Sequence, residues 1–131
     1  LLLGDGEVDG VRLLKPESVR AMIGPEWSLK DGNGLTLEED DPIRSKGGFT
    51  CCYGLAVHTL ASGLPDCGDD PVGDGVQRVG NSGNAYGLLA GLWVDRKAGT
   101  GVVYFSTGND KPEPGERSAF SRIEEQSAQG W

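Results

Sequence analysis

The chain has little of what most metal and acid–base sites are built from. It contains one histidine (His58), one methionine (Met22) and three cysteines in 131 residues. No Cys-x-x-Cys or His-x-x-x-His pair occurs, so the ligand spacing of a zinc site is absent. Catalysis by serine, histidine and aspartate would have to use His58, yet no serine stands in a G-x-S-x-G elbow. Basic residues are also scarce: 12 Lys and Arg against 20 Asp and Glu give a net charge of −8. That balance lacks the basic footprint of nucleic-acid binding and disfavours anionic membrane surfaces. No apolar run approaches the length of a membrane-spanning helix, and Leu1-Leu2-Leu3 is too short for a signal peptide. The chain does not start with Met and opens inside an apolar run, so the expectation is a fragment or processed piece of something longer.

What the chain has in excess is glycine. With 22 Gly and 7 Pro, these two residues exceed a fifth of the sequence, against an average near 12 %. No Gly-X-Y period is present, so a collagen-like assembly is excluded. Leu, Ile, Val and Phe make up about 23 %, just above the range where disorder is the default. The length suits one domain. A long helical bundle is excluded, because each interior helical glycine costs about 1 kcal/mol. A folded, loop-rich, strand-containing domain is the expectation.

The pattern along the chain gives the order of elements. Leu1 to Leu3 followed by Gly4-Asp5-Gly6 reads as a helix end. Asp9-Gly10 signals a turn before the apolar run Val11 to Leu14. Pro16 and Glu17 suit a helix start, and Val19, Met22 and Ile23 fall on one helical face before Gly24-Pro25 ends it. Residues 28 to 49, with the acidic run Glu38-Glu39-Asp40-Asp41, read as a long loop. Tyr53 to Leu60 reads as one strand, with Tyr53, Leu55, Val57 and Thr59 on a common face. Residues 61 to 78 are loop. Tyr86 to Val94 reads as a central strand, and Val102 to Phe105 as its antiparallel partner across a turn from Asp95 to Gly101. After the proline-punctuated loop Lys111 to Gly115, Ser118 to about Ala128 is predicted helical. Ser118 is its cap, Phe120 and Ile123 are its buried face, and Glu124-Glu125 face water. The fold class is α+β, an antiparallel meander with flanking helices.

Three local features carry chemistry. His58 lies on the small-residue face of its strand, where a lone histidine is a packing residue more often than a catalytic one. Adjacent cysteines rarely bond each other, so a bridge would join Cys51 or Cys52 to Cys67, with Cys52–Cys67 the candidate pair. It would close a loop of about 15 residues and require an oxidising compartment, favouring a periplasmic or secreted location; three reduced thiols are the alternative. Asp66 to Gly75 is rich in carboxylates but lacks the D-x-[DN]-x-[DN]-G spacing and closing Glu of a calcium loop. It reads as a solvated acidic loop, with no metal assigned.

The most specific segment is Val79-Gly80-Asn81-Ser82-Gly83-Asn84-Ala85-Tyr86-Gly87, continued by Leu88 to Asp95. It resembles the region around the third motif of serine hydrolases of the β-lactamase and penicillin-binding-protein fold, in the esterase and peptidase branch that carries G-H-x-G-x-x-Y-G. Tyr53 to Val57 resembles the strand before that motif, and Val102 to Gly108 the strand after it. Leu1 to Val19 resembles that family's helix, turn and Pro-Glu helix start. The matched pieces occur in the family's order over nearly the whole chain.

The resemblance implies a partial β-lactamase-like fold and hydrolysis of an ester or amide through an acyl-serine, with no cofactor. Gly83 would keep the strand clear of substrate, and the Asn84 N–H would donate to the oxyanion; Asn81, Ser82 and Tyr86 would complete the substrate-facing group. Where the family has Lys or His this chain has Asn81, which donates a hydrogen bond but carries no charge. The nucleophile motif Ser-x-x-Lys occurs nowhere in the chain, and Tyr104-Phe105-Ser106 matches the second motif only by chance, lying after the third. No nucleophile or base is therefore assigned, and the chain is expected to be inactive alone. The implied partners are a small ester or amide substrate and either the domain's N-terminal part or a swapped homodimer, with no nucleic acid and no membrane. The alternative is a non-catalytic binding domain that retains the sheet.

Overall fold

A computed structural model describes residues 1–30, 33 and 48–130. The expected loop over residues 28 to 49, including the acidic run, falls largely outside the described residues. The chain begins with turns rather than a helix end; Asp5 and Gly6 both adopt positive φ. A short hairpin follows, β1 (Glu7–Val8) and β2 (Val11–Arg12), turned at Asp9 (φ 50°) and Gly10 (φ 78°). Helix α1 (Pro16–Ile23) forms where Pro16 and Glu17 direct it. It buries Val19 fully, whereas Met22 and Ile23 are half-buried.

The rest is one six-stranded sheet, ordered as in the sequence and antiparallel throughout: β3 (Trp27–Ser28), β4 (Cys52–Tyr53), β5 (His58–Leu60), β6 (Arg78–Ala85), β7 (Leu88–Asp95) and β8 (Thr100–Ser106). The α+β class and the meander are as expected. One strand is not. Tyr53 to Leu60 is a hairpin: Tyr53 pairs with His58, and the Gly54 N–H closes the turn on the Val57 carbonyl at 2.8 Å. Tyr53 and Thr59 therefore lie on separate strands. The cause is tertiary. Any Cβ at Gly54 would collide with the Met22 and Gly24 carbonyls, so glycine lets this turn sit on the end of α1. There, Leu55 and Ala56 donate their N–H groups to the Ala21 and Met22 carbonyls, satisfying acceptors that a helix end leaves open.

The β6–β7 hairpin turns at Tyr86 (φ 53°) and Gly87 (φ 75°), the positive-φ pair of a type I′ connection. Tyr86 is thus a turn residue, and the central strand starts two residues later than expected. At the next turn the Asp95 carboxylate accepts the Lys97 and Ala98 N–H groups at 2.9 and 2.8 Å, and Gly99 takes φ 73°. Strand β8 extends beyond its expected core of Val102 to Phe105 at both ends.

One face of the sheet carries the core: Leu60, Trp93 and Phe120, with Phe49, Val102 and Tyr104 packed around them. Gly91 makes room for it. A Cβ there would stand 2.5 Å from the Tyr104 ring and 2.7 Å from the Trp93 indole nitrogen. Phe120 reaches the core from the loop preceding helix α2 (Arg122–Ala128). This helix is four residues shorter than expected at its start. Ser121, not Ser118, caps it, with the Glu124 carboxylate accepting both the Ser121 N–H (2.9 Å) and hydroxyl (2.7 Å). Ile123 is only half-buried. Glu124 and Glu125, expected in water, are 7 % and 3 % exposed. The reason is the bend before the helix. Glu125 accepts the N–H groups of Glu116, Arg117 and Ser118 and the Ser118 hydroxyl, all within 3.0 Å. A bend that turns four donors inward needs a carboxylate inside it.

The opposite face differs. Its cross-strand pairs Leu92↔Val103 and Ala90↔Phe105 are apolar, yet Leu92 is 45 %, Val103 71 % and Phe105 76 % exposed.

Candidate functional site

The glycine-rich stretch singled out above occupies the outer half of β6. Strand β5 pairs with β6 only at Arg78, Val79 and Gly80. Beyond Gly80, β6 keeps β7 on one side and, among the described residues, no strand on the other. Ser82 to Ala85 therefore forms a free strand edge ending in the exposed Tyr86. Register places Asn81 and Gly83 on the face of Leu92 and Ala90, and Ser82 and Asn84 on the face of Gly91 and Leu89. Asn81 and Ser82 thus lie on opposite faces of the strand. Only a ligand lying along the edge of the strand meets both.

The start of this edge is fixed by side chains. The Asn81 amide donates to the Ala56 carbonyl at 3.0 Å, and its oxygen accepts the Tyr53 hydroxyl at 3.2 Å. Asn81 therefore ties β6 to the β4–β5 turn, a role its sequence position did not reveal. The glycines of β6 differ sharply. A Cβ at Gly80 would run into the Leu92 carbonyl, so the fold demands glycine there. A Cβ at Gly83 would meet only the Ala90 methyl group, at an ordinary 3.7 Å. Among the described residues, neither packing nor positive φ requires glycine at position 83.

His58 lies in the core, 1 % exposed. Its ring stacks on Tyr53 (5.3 Å between centroids) and meets the Trp93 edge at 5.2 Å. Nε2 lies 2.5 Å from the Phe49 carbonyl; a carbonyl only accepts, so this nitrogen carries the proton. Burial lowers the His58 pKa, outweighing the opposite pull of the Phe49 carbonyl and the Asp69 charge. The imidazole is a neutral packing residue.

The carboxylates of the 66–75 loop hold the loop itself. Asp70 accepts the Gly73 and Gly75 N–H groups, both at 2.8 Å, and the buried Asp69 accepts the Ser62 N–H at 3.0 Å. Asp74 takes both fork nitrogens of Arg78 at 2.8 Å, and this hydrogen bonding holds its carboxyl at about 2. The loop is structural rather than simply solvated.

The disulfide joins Cys51 to Cys67, not Cys52 to Cys67. Successive strand residues point to opposite sides, and Cys51 is the one turned toward Cys67. Cys52 is a buried free thiol, 3.7 Å from the Ser28 hydroxyl. It lines an open cleft of about 640 Å³ between the end of α1 and the sheet, with Ile23, Val79 and Val94. The cleft contains none of residues 81 to 86.

Searched against known protein families, characterised proteins and solved structures, the chain has no significant match.

Proposed function

We propose that this chain supplies the third-motif wall of a β-lactamase-like serine hydrolase whose nucleophile lies on polypeptide outside these 131 residues. The observation that carries the reading is Gly83. It sits in the middle of a free strand edge, a side chain there would meet the Ala90 methyl at ordinary contact distance, and nothing among the described residues requires a glycine. A glycine there leaves room for a substrate that reaches over the face of Leu92 and Ala90 beside the edge. On this reading an ester or amide lies against Ser82 to Ala85. The serine oxygen attacks the carbonyl carbon and its proton passes to the base on the missing stretch. The oxyanion is held by N–H donors that include Asn84. Collapse expels the alcohol or amine with a proton and leaves the acyl-serine, which water then hydrolyses. The chain alone performs none of these steps.

A second reading is favoured by Asn81. The position that carries charge in the family holds a neutral amide whose donor and acceptor both engage the β4–β5 turn region. That arrangement suits a binding domain that retains the sheet without the chemistry.

A fluorescent serine-acylating probe separates the two. The chain is isolated with the polypeptide it co-purifies with and exposed to the probe. The hydrolase reading expects the label on that polypeptide. It also expects Gly83→Val to slow labelling on the order of 100-fold, the scale of losing an oxyanion-side interaction, while the chain stays folded. A complex that takes no label rejects the enzyme and leaves the binding domain. Labelling that Gly83→Val does not slow removes this strand from the site.

A further inference from the structure

Strand β8 is the last strand of the sheet, and its outer edge faces no other strand among the described residues. Natural edge strands are blunted by charge, proline or a bulge. The sequence Thr-Gly-Val-Val-Tyr-Phe-Ser has no charge and no proline, and its seven pairs with β7 run without interruption. In a chain with 32 charged residues, this uncharged edge is a distinct surface.

We propose that β8 is a pairing edge for a second copy of this chain, antiparallel and centred on Val103. The strand is self-complementary in that register. Val103 stands opposite its own copy, Val102 opposite Tyr104, and Thr100 opposite Ser106. Phe105 stands opposite Gly101, covering the one residue of the strand that presents no side chain. The exposed pair Val103 and Phe105 then continues with Leu92 into an apolar face shared by both copies.

Charge at the strand ends selects the same direction. The turn entering β8 carries Arg96 and Lys97, with Arg96 also bonded to Asp5. The segment leaving it carries Asp110, Lys111 and Glu113, with Glu113 ion-paired to Arg122 at 3.3 Å. Antiparallel pairing sets Lys97 of each copy beside Asp110 of the other. Parallel pairing would set like against like. The inference concerns the chain by itself and does not depend on the hydrolase reading.

Light scattering combined with single-cysteine cross-linking tests it, in a Cys52→Ser background that leaves Cys51–Cys67 intact. Directly opposed antiparallel residues have Cα atoms about 4.5–5.5 Å apart, within disulfide reach, so Val103→Cys should cross-link the dimer rapidly on mild oxidation. Phe105→Cys lies four residues from its own copy, about 13 Å away, and should cross-link at least tenfold more slowly. Val103→Lys should raise the dimer dissociation constant at least tenfold with the melting curve retained. Should that variant fail to fold, the cross-linking comparison still decides the register. A chain monomeric at about 100 μM, which puts Kd above about 1 mM, overturns the proposal. So do equal cross-linking rates, or a dimer broken by Leu92→Lys but untouched by Val103→Lys, which would place the contact on the sheet face. Protection of β8 amides only when the serine-labelled polypeptide is bound assigns the edge to that polypeptide. It overturns self-pairing while leaving the hydrolase reading standing.

Discussion

Glu124 and Glu125 are neighbours on α2, both buried, and they respond in opposite directions. Burial dominates at Glu124 and pushes its carboxyl up, despite two bonds from Ser121. At Glu125 burial pulls the same way, but the Ser118 hydroxyl and three backbone N–H groups outweigh it and hold the carboxyl down. A carboxyl held below its ordinary value near 4.3 stabilises the fold above that pH and loses its contribution as pH falls below it. Glu125→Ala strands four inward-facing donors and should cost about 3 kcal/mol in denaturant unfolding at pH 7, with Glu125→Gln losing about half of that. The Gln variant should also flatten the acid limb of the stability curve below pH ~4. An unchanged unfolding midpoint in both variants would show that the bend does not depend on this carboxylate. His58 has the same sign by another route. Its proton is disfavoured in the fold, so stability is full above the ordinary histidine pKa near 6.5 and falls as pH drops below it. Glu124, raised, opposes that fall. His58→Phe should therefore reduce the drop in melting temperature between pH 7 and ~5.5, although the variant starts less stable for want of the Phe49 hydrogen bond. At Gly91 the argument is steric. Gly91→Ala should cost about 1–3 kcal/mol, because the added methyl meets Tyr104 and Trp93 well inside contact distance. A neutral result would mean the core beneath the sheet repacks freely.

Among the elements, those set by local chemistry were legible. Asp9-Gly10 turned a hairpin, Pro16-Glu17 opened a helix, and the run after Tyr86, apolar on both faces, ran as an interior strand. The failures have one physical form. Tyr53 to Leu60 alternates like a strand, but the end of α1 offers carbonyl acceptors that only a turn at Gly54 can meet, and the chain folds back. Ser118 and Ser121 are both good caps, and the choice fell to Ser121 because Glu125 had already claimed the Ser118 hydroxyl and N–H. Pairing of the cysteines likewise followed side-chain direction. The Cys51–Cys67 bridge ties residues 48–51 to 67–68, where Gly68 also donates to the Gly48 carbonyl. Reduction should cost up to about 3 kcal/mol for a loop of this size, read as a lower melting temperature in reductant. Cys52→Ser should leave that difference intact; its loss in the Ser variant would move the bridge to Cys52.

At the scale of the whole molecule the sheet is unequal on its two sides. One face holds Trp93, Leu60 and Phe120; the other shows Leu88, Leu92, Val103 and Phe105 to solvent. Such a patch binds hydrophobic dyes. The chain should enhance anilinonaphthalene sulfonate fluorescence, and Leu92→Ser with Phe105→Ser should remove most of that enhancement without lowering the melting temperature. Failure of the wild-type chain to bind the dye would mean the face is already covered. The sequence by itself determined the class of this protein: short strands between glycine turns, an antiparallel meander, two helices, an acidic surface. These follow from φ preferences, periodicity and charge, which are properties of a residue and its near neighbours. It also marked residues 81 to 86, through the resemblance of their motif and its flanking segments to a known family. Tertiary structure alone decided which cysteine is bridged, why two glutamates are buried, and that Gly83 lies open on a strand edge while Gly80 and Gly91 are held by packing. Each of those depends on what lies across the sheet, a distance in space that no spacing along the chain encodes.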